Sequence, residues 1–188
     1  MLSSGGAVTK GDILLEGQSL LAQSPAEWRK IRGCDIAMVF QDSGSTLNPI
    51  RKIGSQYIEY IQAHKKMSKN EARQLALKML ERTNLSDCRN VMNCYPFQLS
   101  GGMRQRVGIA RAMTFNPKLL LAEEPTSALD VTTQAQIVKE MMSLRDDYGT
   151  SIIMVTHNLG VAAYMADVVV VMKDGIIVDL GDRDVIFN

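Results

Sequence analysis

Seven residues are of types and spacing that could do chemistry: Gln41, Glu123, Glu124 and His157 at strand tips, and Ser100, Gly101 and Gly102 at a helix start. Glu123 and Glu124 close the apolar run LLLAEE, and two adjacent carboxylates at a strand tip call for a cation or a reactive group nearby. Gln41 ends DIAMVFQ and His157 ends SIIMVTH, two more apolar runs with polar tips. A carboxylate pair, a glutamine and a histidine could together manage a metal and an activated water. Singly, each has a plainer reading: a surface glutamine, a structural histidine, a solvated acidic turn.

LSGGMRQR (99–106) offers different chemistry. Ser100, Gly101 and Gly102 open a helix whose first amides lack internal partners and carry the positive end of the helix dipole. Small residues let an anion reach the backbone and the serine adds a donor, which suits a phosphate. A simple N-cap with a tight turn would read the same way.

The elements that must position these groups alternate. SPAEWRKIR (24–32) reads as a short helix capped by Ser24, and GDILLEG (11–17) as a strand ended by glycine. SKNE (68–71) is a capping box, followed by Ala72, Leu75, Ala76, Met79, Leu80 and Thr83 at helical spacing. SDCRN (86–90) reads as a polar break and DSGSTLNP (42–49) as a loop. KLLLAEE and SIIMVTH flank a helix from Val131 that Gly149 stops, and DVVVVMKDGIIVDLG folds back at Asp174-Gly175. Uniformly apolar strands alternating with helices predict a parallel sheet covered on both faces. In such sheets reactive groups collect beyond the carboxyl ends of the strands. The helical block of roughly 50–116 reads as an insertion.

Bulk properties set limits. The chain has 188 residues, 46% hydrophobic and 22% charged, ordinary for a globular protein. A formal charge of +1 gives no nucleic-acid footprint. Cys34, Cys88 and Cys94 show no CxxC spacing, and His64 and His157 stand apart, so neither a disulfide framework nor a zinc cluster is expected. The opening MLSSGGAVTKGD has no apolar core of the signal-peptide kind.

LSGGMRQRVGIARAM resembles the signature motif of ATP-binding cassette (ABC) ATPases, and LLLAEEPTSALD their Walker B motif and D-loop. FQD (40–42) resembles the Q-loop and VTHNL (155–159) the switch-histidine segment. QDSGSTLNP, CYPFQLSGGMRQR, TSALDVTTQAQI and VTHNLGVAAYMAD are similar to the ATPase subunits of oligopeptide, dipeptide and nickel importers.

The resemblance implies an α/β, P-loop NTPase-like core with a parallel sheet, residues 1–40 and 117–188, and an inserted helical subdomain, residues 41–116. It implies ATP and Mg²⁺ as ligands. Glu124 would be the general base, Glu123 would hold Mg²⁺ and Gln41 would touch the metal. His157 would contact the γ-phosphate. Ser100, Gly101 and Gly102 would hold the γ-phosphate of a nucleotide bound mainly to a partner subunit, with Asp130 at the subunit boundary. Implied partners are a second ABC ATPase subunit, in a homo- or heterodimer, membrane permease subunits and, indirectly, an extracytoplasmic solute-binding protein. The implied location is the cytoplasmic face of the cell membrane.

Two departures stand out. Glu123 occupies a position where the family pattern has aspartate, moving the carboxylate by about one bond length. No GxxxxGK[ST] occurs in the chain; GGAVTKG (5–11) has the wrong spacing. The phosphate cradle is therefore expected before Met1, the core is expected to be incomplete with an unpaired strand edge, and the chain alone is expected not to hydrolyse ATP. The alternatives are a soluble ABC ATPase, disfavoured by Ser127-Ala128 where translation factors of the family carry Asn-His, and a non-catalytic regulatory remnant.

Overall fold

The computed structural model describes residues 6–44 and 46–188. Gly5 of GGAVTKG, the opening MLSSG and Ser45 of the loop after Gln41 lie outside the described residues.

The chain starts with a small hairpin, β1 (Leu14–Leu15) and β2 (Gln18–Ser19). Sequence reading expects one strand here. Glu16 and Gly17 both adopt positive φ, 49° and 78°, and this left-handed pair turns the chain back on itself. Helix α1 (Pro25–Ile31) follows, with Ser24 as its cap and Glu27 closing a capping box. Strand β3 (Ile36–Val39) leads into the loop that carries Gln41.

Three helices then pack together: α2 (Ile53–His64), α3 (Lys69–Arg82) and the short α4 (Cys88–Val91). The Ser68/Glu71 capping box forms as the sequence demands. Residues 86–90 are not simply a polar break: Asp87, at φ 48°, accepts from the amide of Asn90 and starts α4. Helix α5 (Gly101–Ala112) begins at Ser100. Strand β4 (Leu119–Glu123), helix α6 (Val131–Tyr148), strand β5 (Ser151–Val155) and helix α7 (Leu159–Met165) come next. A hairpin of β6 (Val168–Lys173) and β7 (Ile176–Asp182) and a final turn α8 (Arg183–Ile186) complete the described chain.

The central sheet is parallel, in the order β3-β4-β5. One cluster of buried apolar side chains joins Val39 and Leu120 of this sheet to Tyr57 and Ile61 of α2, Leu80 of α3, Ile109 of α5 and Ile137 and Met141 of α6.

The expectation of a sheet covered on both faces is not met among the described residues. Leu120 and Ala122 of β4 are buried, whereas Ile153 and Val155 of β5 are 56% and 62% exposed and Met38 of β3 is exposed too. Alternate residues of a strand face opposite sides. The apolar composition of both sides hid the difference in the sequence. Strand type was legible; which face is packed was not.

Candidate functional site

The carboxyl edge of the sheet collects the polar strand tips. Val39 is in register with Ala122, and Ala122 with Met154. Gln41, Glu124 and Thr156 therefore each stand two residues beyond one registered row, on adjacent chains leaving one edge.

Glu124 leaves the sheet abruptly. Its amide still donates to the carbonyl of Val155, at 2.8 Å, but its φ is +40°. A non-glycine residue in the left-handed region costs energy and persists where surrounding contacts hold it. Here the contacts are that amide bond and the Ser127 amide and hydroxyl, which both donate to the Glu124 carbonyl at 3.2 Å. The turn brings Oε1 of Glu124 to 2.6 Å from Nδ1 of His157. An ionised carboxylate only accepts, so Nδ1 carries the proton and Nε2 is the ring nitrogen left for a ligand. The Glu124 side chain is largely covered and that of His157 is exposed.

Beside this pair lies a polar pocket of about 80 Å³, lined among others by Glu124, Thr126, Gln134, Thr156 and His157. That is enough space, with enough polar partners, to admit water. The Gln134 amide donates to the Thr126 hydroxyl at 3.0 Å on its wall. Thr126, Gln134 and Thr156 were not singled out from the sequence; only the fold brings Gln134 and Thr156 to Glu124.

The second group sits where α5 and α6 begin. Ser100 caps α5, its Oγ accepting from the Met103 amide at 3.2 Å. Asp130 caps α6, its Oδ1 accepting from the Thr133 amide at 2.9 Å. Hydrogen bonds from Thr133, side chain first and backbone amide second, hold the Asp130 carboxyl below its ordinary range. The two caps are neighbours. A Cβ added to Gly101 would meet Leu129 Cδ2 at 3.4 Å, and one on Gly102 would meet Thr133 Cγ2 at 2.8 Å. Gly102 is buried, and its missing side chain makes room for Thr133.

The structure thus joins Glu124 to His157, and Ser100–Gly102 to Asp130. Among the described residues no hydrogen bond links the first group to Ser100. Glu123 ends β4, exposed, paired with Val155, and Gln41 is exposed beyond β3.

Mg²⁺ takes oxygen ligands, often one or two carboxylates with the rest water and phosphate. Gln41 and Glu123 offer such oxygens at neighbouring strand ends. No group of three His, Cys, Asp or Glu side chains among the described residues could enclose a metal. The donor chemistry fits a hydrated Mg²⁺ shared with a phosphate ligand, not a closed protein cage. No helix among the described residues is long and apolar enough to cross a membrane.

Comparison with known proteins gives the same frame. The family model described as "ABC transporter" matches residues 1–127. The oligopeptide transport ATP-binding protein AppD of Bacillus subtilis is 46% identical over 185 residues, covering 98% of this chain and 56% of that protein. The dipeptide transport ATP-binding protein DppD of Lactococcus lactis is 44% identical over 181 residues, covering 96% of this chain and 52% of that protein. The chain spans about half the length of the curated relatives it matches. Among solved structures, a dimeric ATP-binding cassette, MJ0796, in a post-hydrolysis state bound to ADP and Pi superposes with a TM-score of 0.80 at 32% identity, covering 93% of this chain and 74% of that one. The cbiO1 protein of Clostridium perfringens, part of a cbiONQ ABC transporter complex, gives a TM-score of 0.80 at 26% identity, covering 95% and 68%. With the motif-bearing segments on one strand edge and two adjoining helix starts, and with this family match, the chain belongs to the ABC transporter family, in its ATP-binding cassette fold.

Proposed function

We propose that this chain serves as an ATP-binding subunit of an importer for peptides or a similar small solute, at the cytoplasmic face of the membrane. Its partners are a second ATPase subunit, permease subunits and, through them, an extracytoplasmic solute-binding protein. The observation that carries this reading is the Glu124–His157 contact at the carboxyl edge of a parallel sheet, 2.6 Å long, beside a pocket sized for water. The relatives' names supply the solute class, and the dimeric cassette bound to ADP and Pi supplies the second subunit and the nucleotide.

Phosphoryl transfer to water is mostly positioning and charge neutralisation. Glu124 orients a water in the pocket and takes its proton. His157, fixed in one tautomer by Glu124, presents Nε2 to the terminal phosphate. Gln41 and Glu123 would hold Mg²⁺, which would supply charge neutralisation at the phosphate oxygens. Ser100 and the amides of Gly101 and Gly102 face a nucleotide carried mainly by the partner, and Asp130 lies at the boundary between subunits. Residues 1–40 and 117–188 act as the core, and 41–116 as the helical arm that presents the signature helix.

The 188 residues hold no GxxxxGK[ST]. On the shared-site reading, the signature side of this chain faces a nucleotide held by a second subunit, as the dimeric cassette suggests. Titrating Mg²⁺-ATP into a mixture of this chain and a motif-bearing relative should produce a mixed dimer by light scattering. No association at any concentration would reject the reading. A second reading, a regulatory subunit without catalysis, rests on Glu123 standing where the family pattern has aspartate; under it the mixed dimer would form but turn over no ATP.

A further inference from the structure

We infer that Arg106 and Glu140 are positioning residues that bolt the starts of α5 and α6 side by side, so that Ser100 and Asp130 move as one unit. The functional part rests on the shared-nucleotide reading above.

Gly102 and Arg106 are four apart in α5 and so share a face, as do Thr133, Gln136 and Glu140 in α6. These faces meet. Arg106 Nε donates to Glu140 Oε2 at 3.0 Å and Oε1 at 3.2 Å, and its Nη2 donates to Oε1 at 3.0 Å and to Gln136 Oε1 at 3.3 Å. The two charged side chains are only 14% and 7% exposed. One turn earlier Gly102 abuts Thr133.

Contacts advance along both helices in the same direction, so the helices run roughly parallel with their N-termini adjacent. Two like helix ends repel. Asp130 offsets part of that positive field, and a bound phosphate would offset more. The arrangement therefore needs a clamp while no anion is present. A fork-to-fork guanidinium–carboxylate pair is directional as well as strong, and its hydrophobic replacement keeps stability while losing that direction. Arg106 and Glu140 touch no proposed ligand; they act through Ser100 and Asp130.

The test uses the full chain with nitroxide labels at the exposed positions Phe97 and Val131, in a background with Cys34, Cys88 and Cys94 replaced. The parent should give one narrow interlabel distance by pulsed electron paramagnetic resonance. R106L/E140L should keep its melting temperature within about 5 °C, yet lose the single narrow distance. The reversal R106E/E140R should restore it. A narrow, unshifted distance in R106L/E140L would overturn the inference. Should that pair not fold, R106K decides, because lysine keeps the charge but not the fork: a broader distribution than the parent supports the clamp, and an unchanged one refutes it. Failure of the parent to associate with a partner subunit would count against the shared-site reading alone, since the label distances need no nucleotide.

Discussion

His157 donates to Glu124 across 2.6 Å and so ties together the chains leaving β4 and β5. Neither side chain is placed by its own strand alone. The carboxylate reaches the imidazole because Glu124 turns left-handed, at φ +40°, directly after the last residue of β4. One contact both selects the histidine tautomer and fixes two of the side chains that line the pocket.

Grafting a relative's GxxxxGK[ST] segment onto this chain should give a cassette with its own phosphate cradle. In that chimera, Glu124→Gln should lower kcat by about 100- to 10,000-fold, the range for losing a general base. His157→Ala should also lower kcat, because the Glu124 carboxylate loses its hydrogen-bond partner. Steady-state ATPase assays check both; an E124Q chimera with parental kcat would remove Glu124 from the chemistry.

In the same chimera, Glu123→Asp should tighten Mg²⁺ dependence. Mg²⁺ demands near-octahedral geometry at roughly 2.0–2.1 Å, and a misplacement of about 1 Å can cost on the order of 100-fold in rate. The Mg²⁺ concentration for half-maximal activity should fall. An unchanged Mg²⁺ affinity would show that the longer side chain handles the metal as well as aspartate.

The two faces of the sheet should respond differently to truncation. Leu120 is buried at 1% exposure, so Leu120→Ala should cost about 2–5 kcal/mol. Ile153, on the other face, should cost well under that when changed to Ala. Urea unfolding of the two variants measures the contrast; equal losses would mean that the exposed face is packed in solution.

Gln105 is buried within α5, and its side-chain amide nitrogen has no hydrogen-bond partner among the described residues. Leaving such a donor unmet costs about 1–3 kcal/mol. Gln105→Met, similar in volume, should raise the melting temperature. A lower melting temperature would reveal a partner for the amide.

Acid should unfold the chain partly through its caps. Hydrogen bonds from Ser24 and Ser68, side chain first, hold Glu27 and Glu71 below the ordinary carboxylate range, as Thr133 does for Asp130. Folded values below unfolded ones mean stability that is present above about pH 4 and lost as pH falls through the folded values. Melting temperature should drop across that window, and Glu71→Gln should make the drop shallower. Identical profiles for variant and parent would contradict this.

The signals that could be read in the sequence are short-range. Ser68 and Glu71, Pro25 after Ser24, Asp174-Gly175 and Gly149 each act within four residues, and each formed the cap or turn expected of it. The strand tips could be located too, because apolar runs end at them. The Glu124–His157 contact could not be read, since it spans 33 residues and depends on one unusual φ. Gly102 resembled a residue that bares the backbone for an anion, and its packing against Thr133 is a tertiary fact. The helix α4 was missed because its cap, Asp87, works from a left-handed conformation. Composition alone could not separate the covered face of β5 from the exposed one.

The central claim is that Ser100 serves a nucleotide held by another subunit, while Glu124 serves one held by its own. Steady-state ATPase activity of a one-to-one mixture with a motif-bearing relative separates the two roles. Addition of the parent chain should stimulate hydrolysis, Ser100→Arg should abolish that stimulation, and Glu124→Gln should leave it nearly intact. Full stimulation by the Ser100→Arg chain, or none by the parent, would contradict the account.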